Sequence, residues 1–172
     1  LALPLIVGLT RIYLGVHFPT DLALGWALGA LLVGAEAALG DRIAAALSKL
    51  RPQLRLAAAA AVALAMNALY SEDSALGGAF FGFSAGLIYA PTVAPFSTGG
   101  SAGRRALRYL FGTATVVAVY MAPKLLLGEL GSEPLARFLR YAVVTAWGAL
   151  GAPWLFLRLG LAEREEPQSA RE

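Results

Sequence analysis

The sequence predicts an all-α fold, a polytopic bundle of transmembrane helices with five complete spans that follow the end of a further one. Three observations carry this. Of the 172 residues 58% are hydrophobic and only 15% charged, whereas an ordinary soluble domain is roughly half apolar and a quarter charged. The apolar residues gather in runs close to the length of about 20 that a helix needs to cross the hydrocarbon core. Strands with open edges cannot stay unpaired in lipid, so each run is read as a helix. Cysteine is absent, which excludes disulfides and thiolate metal sites.

Taken in order, residues 1–9 are too short to cross and read as the last turns of a span that begins upstream. The chain opens on Leu1 inside an apolar stretch with no positively charged region ahead of it, so it reads as the C-terminal part of a longer protein. Full spans are expected at about 22–39, 54–70, 75–94, 106–127 and 138–157, the second being short and alanine-rich. Gly25 and Gly29, and the ladder Gly78, Gly82 and Gly86, each put small residues on one helix face and read as span-to-span packing surfaces. Pro91, Pro123 and Pro153 each follow an alanine late in a span and read as kinks near helix ends. The last segment, AEREEPQSARE, is polar without an apolar face and is expected to be disordered.

Charge sets the direction of the spans. With the segment 40–55 in the cytoplasm, that side collects Arg42, Lys49, Arg51, Arg55, Arg104, Arg105, Arg108, Arg158, Arg164 and Arg171, and the other side Arg11, Lys124, Arg137 and Arg140. Ten against four follows the positive-inside rule. The expectation is therefore a multi-pass protein of the plasma (inner) membrane whose Arg11 to Asp21 segment faces the exterior or periplasm and whose C-terminus is cytoplasmic. The formal charge of +3 is distributed in short segments between apolar runs, without a continuous basic face, so the anions it meets are lipid headgroups and not nucleic acid.

One segment concentrates chemistry. Thr10-Arg11-Ile12-Tyr13-Leu14-Gly15-Val16-His17-Phe18-Pro19-Thr20-Asp21 holds an arginine, the only histidine and an aspartate between two apolar runs. Arginine presents a planar fork of donors to phosphate oxygens, and a neutral imidazole is a nucleophile near neutral pH. His17 and Asp21 are four apart, so a helix that has begun by His17 puts them on one face. Pro19 is tolerated in a first turn, and the helix N-terminus is itself attractive to anions. Gly15 supplies a turn able to bring Arg11 back over the same region. The arrangement fits phosphoryl transfer through a covalent histidine intermediate. Asp21 would hold Nδ1–H, Nε2 would attack phosphorus and Arg11 would neutralise the equatorial oxygens. An acid for the leaving oxygen must be a group other than histidine of this chain.

The run Thr10-Arg11-x5-His17-x3-Asp21, with Tyr-Leu-Gly-Val-His-Phe-Pro-Thr-Asp inside it, resembles the third signature motif of the type 2 phosphatidic acid phosphatase (PAP2) superfamily. A bare R-x5-H-x3-D arises by chance in a chain of this length on the order of once in a hundred. The resemblance implies His17 as the nucleophile, Asp21 as its orienting carboxylate, and Arg11, with Thr10 in place of the family's serine, as substrate-binding residues. It implies a membrane hydrolase of lipid phosphates or isoprenoid diphosphates acting on the outer face, with no cofactor and no metal. Two further family motifs, a lysine followed at distance by Arg-Pro and a Pro-Ser-Gly-His, are not found and are expected before Leu1. The 172 residues alone are accordingly expected to be inactive. On this basis 1–39 is the end of a phosphatase core, 40–55 a basic cytoplasmic loop, 56–160 a four-span membrane extension and 161–172 a disordered polar tail. The competing expectation is a phospholipid-binding transporter or scaffold in which the motif holds a headgroup without cleaving it.

Overall fold

The computed structural model describes residues 2–127 and 133–165. It is all-helical: α1 (Ala2–Tyr13), α2 (Pro19–Ser48), α3 (Pro52–Leu69), α4 (Ala75–Val93), α5 (Ala102–Leu127), α6 (Pro134–Ala146), a π-helical turn (Trp147–Gly151) and α7 (Ala152–Arg158). Among the described residues α2, α3, α4 and α5 are long and apolar enough to cross a membrane. With its several candidate spans, the chain is an integral membrane protein. The fifth expected span, 138–157, is helical throughout but divided among α6, the π turn and α7. Pro153 accounts for the division. It has no N–H to give to Ala149 and its ring crowds that carbonyl, and widening the turn before it accommodates both, with the Ala152 amide bonded to Trp147 O.

The chain forms two compact units, Leu1–Leu50 and Arg51–Glu172. In the first, α1 touches α2 at Gly8, where a Cβ would stand 2.7 Å from both Leu22 and Trp26. No residue of α2 is buried, and Leu24, Leu28, Leu31 and Leu32 point outward, as side chains do where the surrounding solvent is lipid. The expected loop at 40–55 is mostly helix, since α2 continues to Ser48 and α3 begins at Pro52. Charged residues mark where a helix leaves the bilayer, but the run Asp41-Arg42-Ile43-Ala44-Ala45-Ala46-Leu47 contains Arg, Leu and three Ala and neither Gly nor Pro, so the helix need not stop there.

In the second unit α4 lies between α3 and α6, and its glycines make the approach possible. A Cβ on Gly77 would meet Asn67 and, at 2.9 Å, the carbonyl of Ala63 in α3. On the other face Gly78 lies against the Phe138 carbonyl, Gly82 against the Ala142 carbonyl and Gly86 against Ala149 Cβ. The glycine ladder is thus an interhelical surface, whereas Gly25 and Gly29 in α2 have open space around them. Thr145 Oγ1 donates across the interface to Ala79 O at 2.9 Å, and Phe81 stacks on Phe138 with centroids 6.2 Å apart. α5 joins through Tyr120, edge-on to Tyr141, with the Arg140 guanidinium over both rings at 5.5 and 5.7 Å.

Each end of this unit is tied. At one, Ser74 Oγ donates to Pro134 O (2.6 Å), and Asp73 accepts the Ala75 amide (2.9 Å) and faces Arg137 (3.4 Å). The Ala75 amide is the main influence on the Asp73 carboxyl, which lies below its ordinary value of 3.8; partial desolvation opposes the shift and Arg137 reinforces it. A carboxylate whose folded pKa is depressed stabilises the fold above its unfolded pKa, and that stabilisation is lost as pH falls through the folded value. Asp73→Ala is therefore expected to lower the thermal midpoint at pH 7, with the gap to the parent chain narrowing as pH is taken below 3.8. Circular dichroism melts at the two pH values check this.

At the other end, Arg108 is buried and donates to the carbonyls of Ser97 (3.0 Å), Thr98 (2.8 Å) and Gly99 (2.8 Å). The same loop pairs with the chain after α7: Ser97 N–H to Glu163 O (2.8 Å), Glu165 N–H to Pro95 O (3.1 Å), and Arg104 to Glu163 (2.8 Å). Gly160, at φ +66°, turns the chain back so that Leu161 N–H reaches Phe156 O and Ala162 is buried beside Ala152 and Phe156. Residues 161–165, which composition placed in a disordered tail, are therefore part of the folded unit. Their order depends on partners some sixty residues away, which composition does not register. Residues 166–172 of that expected tail lie outside the described residues.

Candidate active site

The segment between α1 and α2 is built from two helix ends. α1 stops at Tyr13 through a closed C-terminal turn: Gly15 adopts φ +68°, its amide donates to Ile12 O (2.9 Å) and the Val16 amide to Arg11 O (3.2 Å). This six-residue closure with a left-handed glycine is a common way to satisfy the last carbonyls of a helix. It fastens the backbone of Arg11 to that of Val16, the neighbour of His17. Any side chain at position 15 would be strained in that conformation, and this, rather than flexibility, is the contribution of Gly15.

α2 starts at Pro19, with Phe18 extended (φ −80°, ψ 152°) as its N-cap. His17 consequently lies one residue outside the helix, and the expectation that it shares a helix face with Asp21 is replaced by a different geometry. Asp21 is the third helical residue. Its Oδ2 accepts the Phe18 amide at 3.0 Å and stands 3.6 Å from His17 Nδ1. Phenylalanine has no acceptor to return the bond, so this is half of a capping box, and Asp21 N–H goes instead to Phe18 O (3.0 Å). One carboxylate oxygen thus holds the start of the helix and faces the imidazole. The order Phe-Pro-x-Asp, with proline first and an acid third in the helix, carried that signal in the sequence.

His17 and Asp21 are each half exposed, so water and a ligand can reach the pair. With Nδ1 toward the carboxylate, Nε2 is the nitrogen left to meet an electrophile. Arg11 is exposed on the last turn of α1 with no ion-pair partner among the described residues, free to engage an anion. Thr10 is oriented otherwise: its hydroxyl donates to Val7 O at 2.7 Å, so it must rotate before it can donate to a phosphate. The structure therefore brings His17 and Asp21 together, fastens Arg11 nearby through the backbone and turns Thr10 inward along its own helix. Among the described residues no group of three or more histidine, cysteine, aspartate or glutamate side chains converges as a metal site.

Comparison with known proteins adds two matches. Residues 1–44 match the family model described as PAP2 superfamily, and residues 74–164 match the one described as PAP2 superfamily phosphatase, transmembrane extension. No curated protein and no solved structure matches.

Proposed function

Because this chain belongs to the PAP2 superfamily of phosphatases with a transmembrane extension, we propose that it carries the nucleophilic histidine of a membrane hydrolase that removes phosphate from a lipid phosphate or an isoprenoid diphosphate. The observation that carries the proposal is the 3.6 Å approach of Asp21 Oδ2 to His17 Nδ1 in a half-exposed turn beside Arg11. The carboxylate keeps the proton on Nδ1 and stabilises positive charge on the ring, while Nε2 attacks phosphorus in line with the departing oxygen. The P–O bond to the leaving group breaks as the N–P bond forms, and a proton from a general acid other than His17 goes to the leaving oxygen, that of the lipid alcohol for a monophosphate or of the lipid monophosphate for a diphosphate. Arg11 neutralises charge on the equatorial oxygens. Water then cleaves the N–P bond, releasing inorganic phosphate and restoring the imidazole.

The helical stretch 134–158 runs about 35 Å at 1.5 Å per residue, long enough to make the fifth crossing despite its π turn. With five crossings and ten of the fourteen cationic side chains on the cytoplasmic side, the His17 turn opens to the exterior or periplasm of the plasma membrane. The substrate headgroup is met there.

Asp21→Asn tests the division of roles. The amide oxygen can still accept the Phe18 N–H and keep the helix start, but the charge that holds the imidazole is gone. Turnover by the intact protein is expected to fall about 10²–10⁴-fold with KM little changed, and vanadate, which mimics five-coordinate phosphorus, to inhibit the parent enzyme. Unchanged turnover in the variant would remove Asp21 from the mechanism.

A further inference from the structure

The end of the second unit that Arg108 ties holds a groove of about 230 Å³ lined by Val93, Trp154, Leu157, Arg158, Ala162 and Arg164. Val93 is the last residue of α4 and Arg158 the last of α7, so the groove opens where two helices end. Four of its six lining residues are apolar or aromatic, and the two charged ones have the same sign. The neighbouring cations are already engaged, Arg104 by Glu163 and Arg108 by three carbonyls. Arg158 and Arg164 have no carboxylate partner among the described residues. Arg158 is held in place by stacking over the Trp154 ring at 5.2 Å, and Arg164 by the antiparallel bridge of its backbone to Phe96. Both guanidinium groups are thus carried on a rim that the Arg108 and Glu163 bonds make rigid.

We propose that this groove is a binding site for an anionic phospholipid, distinct from the His17 turn and independent of the phosphatase reading. The phosphate is clasped by Arg158 and Arg164, whose donor forks fit phosphate oxygens. The glycerol and the upper part of an acyl chain lie on Val93, at the end of α4, and on Leu157 and Trp154 of α7. Tryptophan suits such a position, with a large apolar ring at the level of the headgroups. A soluble anion would use the arginines and leave the apolar wall bare; a zwitterionic lipid would use the wall and bring no net charge to the arginines. An anionic phospholipid uses both.

The test is native mass spectrometry of the chain in detergent, titrated with phosphatidylglycerol or with phosphatidylcholine of the same acyl chains. Phosphatidylglycerol is a phosphodiester without the terminal phosphate that the proposed reaction cleaves, so retention is read apart from turnover. Each basic residue near an anionic headgroup contributes about a fivefold preference, so the pair gives roughly 25-fold for phosphatidylglycerol. In R158Q/R164Q that preference is expected to collapse, while in R105Q, whose side chain donates to Gly100 O, it persists. Equal retention of the two lipids by the parent chain, or an undiminished preference in R158Q/R164Q, would overturn the proposal. Displacement of the lipid by inorganic phosphate at equal concentration would overturn it too, as the mark of a site for free anions.

Discussion

Alanine at position 17 is expected to lower phosphate release from a lipid phosphate by about 10³-fold or more, with folding almost unaffected. His17 is the only histidine of these 172 residues, so among them no second imidazole can take over the attack. Its side chain is half exposed where it approaches Asp21, and truncation of a side chain so placed changes stability by about 0.5 kcal/mol or less. The separation of the two effects is what distinguishes a nucleophile from a structural residue. Assay of the intact protein on a lipid phosphate, alongside its melting curve, reads both, and near-parental turnover would remove His17 from the reaction.

The largest effect on stability is expected at Gly82. Any Cβ there runs into the Ala142 carbonyl and comes within 2.5 Å of Thr145 Oγ1, and a backbone carbonyl cannot rotate away as a side chain can. Gly82→Leu must push α4 and α6 apart, and with them the bond from Thr145 to Ala79 O. Overpacking of this kind costs about 3 kcal/mol, and the thermal midpoint of the 172-residue chain should fall accordingly. Gly29→Leu is the control. Position 29 has nothing within 4 Å of its Cβ, so the midpoint should barely move, although both glycines belong to small-x-x-x-small patterns that look alike in the sequence.

That pair of glycines shows where sequence reading succeeds and where it stops. The spacing identifies a face on which backbones can come close, but which face has a neighbour is decided by tertiary contacts. Similarly, hydropathy located α3 and α4 nearly to the residue, because Pro52 opens one and Asp73 with Ser74 precedes the other. It misplaced the end of α2, because polarity reports the edge of the bilayer while the helix continues as long as its backbone bonds do. The division at Trp147–Gly151 was half legible: Pro153 announced a disturbance, but whether a proline yields a kink or a π turn depends on what packs around it. At the candidate site, the residue types and the order Arg11, His17, Asp21 point to the phosphoryl chemistry proposed for it. The half capping box that aims Asp21 at the imidazole follows from Pro19 and the N-cap position of Phe18, a local signal read only once the helix start is known.

The covalent bond between phosphorus and His17 can be sought directly. The intact protein is mixed with a lipid phosphate, quenched under alkaline conditions within the turnover time, digested and analysed by mass spectrometry. A phosphoryl group is expected on the peptide that contains His17, absent in His17→Ala and absent without substrate. Turnover that proceeds with no phosphoryl group on that peptide, or with the label on another residue, would contradict attack by His17.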